Sequence, residues 1–122
     1  MHPRLVSCPS DATLETVATL MREHRVHCIA VSDDPSDAGS LWGVVSDLDL
    51  IAASTVRGLD EQKAGGSAMR PAVTIAPSES LEHAARLMTR QAVTHLVVVD
   101  PVEQRPVGVL STLDLAGTLA AS

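Results

Sequence analysis

The sequence predicts an α+β (mixed α/β) fold in which two pseudo-symmetric β-α-β-β-α repeats pack as one module. Three observations carry that expectation. Residues 43–50 and 108–115 agree at Gly43/Gly108, Val44/Val109, Ser46/Ser111, Leu48/Leu113, Asp49/Asp114 and Leu50/Leu115. The helical spacing Leu14, Val17, Ala18, Met21 recurs as Leu81, Ala84, Ala85, Met88. Continuous apolar runs at 28–31 and 96–99 follow those helices in the same order. The chain has 122 residues, and each half alone is near the size at which a core becomes marginal, so the halves should share one.

Each half opens on a short apolar stretch, Leu5-Val6 and Val73-Thr74-Ile75, leading to Pro and Ser. Matching Met1, Pro3, Val6 and Pro9 to Met69, Pro71, Thr74 and Pro77 implies one extra residue in the first half near Ala12–Thr13. The amphipathic helices come next, with polar outer faces that include Glu15, Arg22, Glu82 and Arg86. Ser, Asp or Glu ahead of each helix suits its positive N-terminal end. The apolar strands Cys28-Ile29-Ala30-Val31 and Leu96-Val97-Val98-Val99 lack polar alternation, which predicts burial on both faces. Loops follow, the first being longer, from Asp33 to Leu41. A third strand, 43–45 or 108–110, then enters a closing helix, 47 to about 56 or 112 to about 119. Glycines 58, 65 and 66 mark the join as the least structured stretch. The expected organisation is repeat 1 over 1–56, a linker over 57–68 and repeat 2 over 69–122.

The formal net charge is −6, with eight arginines scattered along the chain and Lys63 the single lysine. That argues against a nucleic-acid surface, which needs clustered cations. No apolar run has membrane-span length and no apolar leader precedes the first repeat, so the expectation is a cytoplasmic domain with no membrane partner. Cys8 and Cys28 do not correspond in the repeat and read as small buried or half-buried thiols rather than a disulfide. There is no Phe or Tyr, and Trp42 stands alone as a core or rim anchor. That limits how any purine could be held, to aliphatic side chains and backbone hydrogen bonds rather than ring stacks. His24, His27 and Cys28 have no second half of a zinc-like spacing, and no Gly-x-Ser-x-Gly elbow exists, so no metal and no catalysis are expected.

The doubled Gly-h-h-Ser-x-x-Asp motif, where h is apolar, is the one pattern with chemistry in it. It places a strand end at a helix N-terminus, where free N–H groups and the dipole favour an anion. Ser46 and Ser111 can donate to a sugar or phosphate oxygen; Asp49 and Asp114 can accept from two vicinal hydroxyls. The same spacing makes a helix capping box. A cap and a ribose site are compatible, and the spacing leaves both readings open.

With these pieces in order and doubled, the whole chain resembles a tandem pair of CBS domains, the cystathionine β-synthase-type regulatory module. The resemblance rests on 69–78, 81–100 and 108–115 with their first-half counterparts. It implies a module with two clefts between repeats, binding AMP, ADP, ATP or S-adenosylmethionine and needing no other cofactor. It implies that Asp49 and Asp114 hold ribose hydroxyls beside Ser46 and Ser111. Val6 and Thr74 would offer backbone groups to adenine, with Val26 and Val93 lining the base pocket. The phosphate positions carry His27-Cys28 and Thr94-His95, so each half has one imidazole and lacks the family's usual Arg. That departure favours an AMP-like ligand over a triphosphate. Apolar residues on the closing helices (Leu48, Leu50, Ile51, Ala52; Leu113, Leu115, Ala116, Leu119) suggest a homodimer surface. The expected role is sensing a nucleotide on behalf of a partner protein or a domain in cis. The alternative is a ligand-free dimerisation module whose Ser-x-x-Asp boxes only cap helices.

Overall fold

The computed structural model describes residues 5–34, 41–68 and 72–121; the side chains of Trp42 and of 118–121 also lie outside the description. The expectations placed on Met1, Pro3, Met69, Pro71, the Trp42 ring and Leu119 therefore lie outside the described residues. Chain order is β1 (Ser7–Cys8), α1 (Leu14–His24), β2 (Cys28–Ser32), β3 (Leu41–Ser46) and α2 (Asp47–Ser54). A 3₁₀ turn (Leu59–Glu61) and a single helical turn, α3 (Ala64–Ser67), follow. The pattern then repeats as β4 (Thr74–Ile75), α4 (Leu81–Gln91), β5 (His95–Val99), β6 (Pro106–Ser111) and α5 (Thr112–Ala121). No helix among the described residues is long and apolar enough to cross a membrane.

Each repeat forms a three-stranded sheet, β1-β2-β3 or β4-β5-β6, with the first pair parallel and the second antiparallel. The helices start where the sequence places side-chain caps. Thr13 Oγ1 accepts the N–H of Thr16 (3.1 Å), and Ser80 Oγ accepts that of His83 (3.0 Å). They end on left-handed residues, Arg25 (φ 54°) and Ala92 (φ 55°), which turn the chain straight into β2 and β5.

Packing makes three apolar clusters. Leu14, Val17 and Met21 of α1 meet Ile29, Val31, Val45, Leu50 and Ala53 in the first repeat. Ala84, Met88, Leu96, Val98, Leu110 and Leu115 make the second. The third, Cys28, Val44, Val97 and Val109, takes residues from both sheets and joins the repeats face to face. This is why the runs 28–31 of β2 and 96–99 of β5 are apolar without interruption. Ile29 and Val31 point to one core and Cys28 to another, so both faces are buried.

Two sequence expectations are corrected. Val6 O accepts from Ala30 N and Val73 O from Val97 N, both at 2.9 Å, so Val6 corresponds to Val73 and Ser7 to Thr74. The turns agree, Ala12 N–H donating to Pro9 O and Glu79 N–H to Ala76 O, each at 3.1 Å. No extra residue sits near Ala12–Thr13. Matching Pro9 to Pro77 slips the register by one, which exchanges the faces of the strand: Val6 and Val73 pack on the cores while Thr74 is exposed.

The second correction concerns 57–68, read as the least structured stretch. It is strapped to repeat 1. Leu14 N–H donates to Gln62 O (2.9 Å), Ala64 N–H to Ala12 O (2.7 Å) and Gly65 N–H to Ser10 O (2.9 Å). The Gln62 side chain donates to the carbonyls of Ala53 (3.0 Å) and Arg57 (3.1 Å), closing the end of α2. Ala64 is fully buried. Gly65 serves close approach rather than flexibility, because a Cβ there would lie 3.1 Å from both Ser10 Cβ and Ser10 O.

Candidate functional site

The repeated Ser-x-x-Asp forms a strand-to-helix corner in each half. Ser46 N–H donates to Asp49 Oδ2 (2.8 Å) while Asp49 N–H donates to Ser46 Oγ (3.2 Å). Ser111 and Asp114 repeat this at 2.8 and 3.2 Å, with Ser111 Oγ a further 3.0 Å from Asp114 Oδ2. Both corners are thus complete capping boxes. Each is tied to the segment ahead of the middle strand, Asp47 N–H donating to His27 O (2.9 Å) and Thr112 N–H to Thr94 O (3.0 Å). The cap commits Oδ2 of each carboxylate without removing it from the surface: both aspartates are half-buried and line clefts.

Each cleft takes its two walls from different repeats. Val44, Ser46 and Asp49 face Ala72, Val73, Val93, Thr94 and His95 across a narrow cleft of about 30 Å³. Ser111, Asp114, Val109 and Leu113 face Arg25, Val26, His27 and Cys28 across a wider one of about 130 Å³, with His95 at its edge. Between them runs a groove of about 310 Å³, lined by His27, Ser46, Asp47, Leu48, Thr94, His95, Ser111, Thr112 and Leu113. The groove alone reaches the lower end of small-molecule pocket volumes, about 300–1,000 Å³.

Of the residues singled out by sequence, Ser46, Asp49, Val93, Thr94 and His95 come together at one cleft, and Val26, His27, Ser111 and Asp114 at the other. Val6 and Thr74 are not among the described lining residues; Ala72 and Val73 occupy the place the slipped register gave to Thr74. Sequence reading also missed Arg25. The expected lack of a guanidinium holds at the positions after Val26 and Val93, yet the left-handed turn at the end of α1 sets Arg25 on the wall of the Asp114 cleft. Its counterpart is Ala92. The signal was available in the spacing, since Arg25 stands directly before Val26 at the helix end.

The two imidazoles differ. His27 is exposed and pairs through Nδ1 with Asp47 Oδ2 at 3.1 Å, a solvated contact of small energetic weight. His95 is half-buried, with Nδ1 3.0 Å from Thr94 Oγ1. Burial lowers its pKa; Asp47, Asp114 and Asp49 pull the other way, and His27 adds to the lowering. His95 is therefore a neutral hydrogen-bonding group at neutral pH, not a cation. Cys8 and Cys28 are free and buried. Burial, with Asp49 and Asp47 nearby, pushes the Cys28 thiol up to about 12. Among the described residues no group of three or more His, Cys, Asp or Glu side chains is placed to hold a metal ion.

Comparison with known proteins places this geometry. The CBS domain family model matches the chain twice, over residues 1–55 and 66–121. The CBS domain-containing protein YhcV of Bacillus subtilis (strain 168) is 29% identical over 117 residues, covering 95% of this chain and 79% of that protein. The structure of CBS domain protein PAE2072 from Pyrobaculum aerophilum, complexed with AMP, superposes with a TM-score of 0.80 at 29% identity, covering 100% of this chain and 95% of that one. The CBS domain pair of protein MJ0100, in complex with 5′-methylthioadenosine and S-adenosyl-L-methionine, gives a TM-score of 0.80 at 19% identity, covering 96% and 89%. At that identity the likeness shows the fold alone.

Proposed function

Because the chain belongs to the CBS domain family and carries the domain twice, we propose that it is a regulatory module sensing an adenosine-containing ligand in its inter-repeat clefts. The observation that carries this reading is the crossed construction of the clefts. In each, a half-buried carboxylate and a serine from one repeat face a wall from the other that carries a valine and an imidazole, Val26 with His27 or Val93 with His95. On this reading, the carboxylates of Asp114 and Asp49 accept the ribose hydroxyls. Val26 would line the base in the Asp114 cleft and Val93 in the Asp49 cleft, aliphatic contacts suited to a chain without Phe or Tyr. An AMP-like ligand is favoured; ADP, ATP and S-adenosylmethionine are the alternatives to titrate. Support comes from the AMP complex of the Pyrobaculum aerophilum relative. An occupant touching both repeats would stabilise one relative pose, and a partner protein or cis domain would respond to that pose.

Isothermal titration of the purified chain with AMP, ATP and S-adenosylmethionine tests the reading, which predicts saturable binding of at least one. No heat and no thermal stabilisation at millimolar ligand would leave the second reading, a ligand-free dimerisation module. The complete capping boxes favour that second reading, while the exposed apolar residues Leu48 (68%), Ile51 (63%) and Leu113 (70%) on α2 and α5 suit a homodimer. The homodimer is part of both readings. Light scattering checks it, and a monomer at all concentrations would remove it.

A further inference from the structure

The two clefts are built alike but charged differently. Arg25 and His27 line the Asp114 cleft. The lining of the Asp49 cleft holds Asp49 and His95, and the position equivalent to Arg25 is Ala92. A guanidinium matches phosphate oxygens as a planar fork, whereas a carboxylate without a cation across the cleft repels them. Both clefts open on the groove of about 310 Å³, the Asp114 cleft through His27, His95, Ser111 and Leu113 and the Asp49 cleft through Ser46, Thr94 and His95. The Asp114 cleft is the roomier of the two, at about 130 Å³. The Asp49 cleft is about 30 Å³.

We infer that the clefts sort adenosine ligands by charge: the Asp114 cleft takes the 5′-phosphorylated form through Arg25, and the Asp49 cleft takes an uncharged nucleoside. The inference rests on reading both clefts as adenosine sites. Calorimetry on the full chain with AMP and with adenosine, at low and high salt, compares wild type with Arg25→Gln. AMP should saturate at one per chain, and its affinity should fall with salt while that of adenosine stays level. Arg25→Gln should lower the ratio of AMP to adenosine affinity by about three- to tenfold, a range set by a charge-assisted contact at an exposed rim. An unchanged ratio in a folded variant, or two AMP molecules bound with equal affinity, overturns the inference and leaves the adenosine reading standing. If the variant does not fold, the wild-type salt series decides, and equal salt dependence for the two ligands overturns it. Failure of the wild type to bind either ligand at millimolar concentration overturns the adenosine reading and this inference together.

Discussion

Replacing Asp114 separates the helix cap from the proposed ligand grip, because alanine and asparagine remove different things. Alanine deletes the acceptor that Ser111 N–H reaches at 2.8 Å. Losing such a cap costs about 0.5–2 kcal/mol, and for a half-exposed corner we take about 1 kcal/mol. In a domain of this size that lowers Tm by about 3–5 °C. Asparagine keeps one oxygen for the Ser111 N–H, so its melting temperature should stay within about 2 °C of wild type. Binding separates the variants from wild type for another reason. Two ribose hydroxyls donating to a carboxylate are worth about 1.5–3 kcal/mol each when fully desolvated. The half-buried setting reduces the sum to about 2–3 kcal/mol, a loss of roughly 30- to 150-fold in Kd for Asp114→Ala. The asparagine side chain would present an amide donor to the second hydroxyl, so Asp114→Asn should still lose at least about tenfold. Calorimetric AMP titration beside ligand-free differential scanning calorimetry reads both quantities. An Asp114→Asn protein that melts like wild type and binds AMP with unchanged Kd would refute the grip and leave only the cap.

Other consequences follow from backbone strain, burial and charge. Ala92→Gly should stabilise the fold by about 0.5–1 kcal/mol. Alanine at φ 55° carries the left-handed penalty, only part of which the extra freedom of unfolded glycine offsets; urea midpoints at constant m check it. Cys8 and Cys28, with thiols raised to about 11 and about 12 by burial, should resist iodoacetamide at pH 8 in the native state and react once unfolded. Their raised pKa values also mean that above pH about 9 only the unfolded state sheds these protons, so stability should fall there. His95 has the opposite sign: its native pKa lies below 6.5, the unfolded chain binds more protons as pH falls, and stability is lost on acidification from about pH 7. Thermal melts of wild type minus His95→Gln should show that acid-side slope, and a flat difference would show that burial does not hold the imidazole neutral. Gln62→Ala should cost about 1–2 kcal/mol by releasing the carbonyls of Ala53 and Arg57, measured by the same denaturation series.

The doubled corner was legible in the sequence because a strand end, a serine and an aspartate at fixed spacing are local features. The same holds for the helices, whose apolar spacing lies within one turn, as does the serine cap at Ser80; the first helix is capped by Thr13, which the reading of Ser, Asp or Glu did not include. The uninterrupted β2 and β5 runs even announced the third cluster, since only burial on both faces excuses a strand from alternation. What failed was register and contact across repeats. Two prolines that look equivalent, Pro9 and Pro77, hide a slip that only the Val6–Ala30 and Val73–Val97 hydrogen bonds reveal. The glycines of 57–68 read as slack because composition does not distinguish freedom from close approach, and Gly65 against Ser10 is the second kind. Arg25 escaped notice because the family positions lie after Val26, while its sharing a cleft with Asp114 depends on how the two sheets pack.

The crossing of the clefts has a thermodynamic consequence. A ligand held within one repeat would stabilise that repeat and leave the pose untouched. Here any occupant of the Asp49 cleft contacts 44–49 of one repeat and 72–95 of the other, and the Asp114 cleft does the reverse. Both span the same sheet-to-sheet contact of Cys28, Val44, Val97 and Val109. On the proposed reading, admitting a nucleoside to the 30 Å³ cleft would move β2 and β3 against β5 and β6 across that contact. The same movement alters the width of the opposite cleft. On the proposed reading, occupancy of one site would be linked to affinity at the other, and the linkage would be reciprocal. A differential of about 1–3 kcal/mol between poses suffices for regulation, which is within the worth of a single carboxylate–ribose grip gained in one pose and strained in the other.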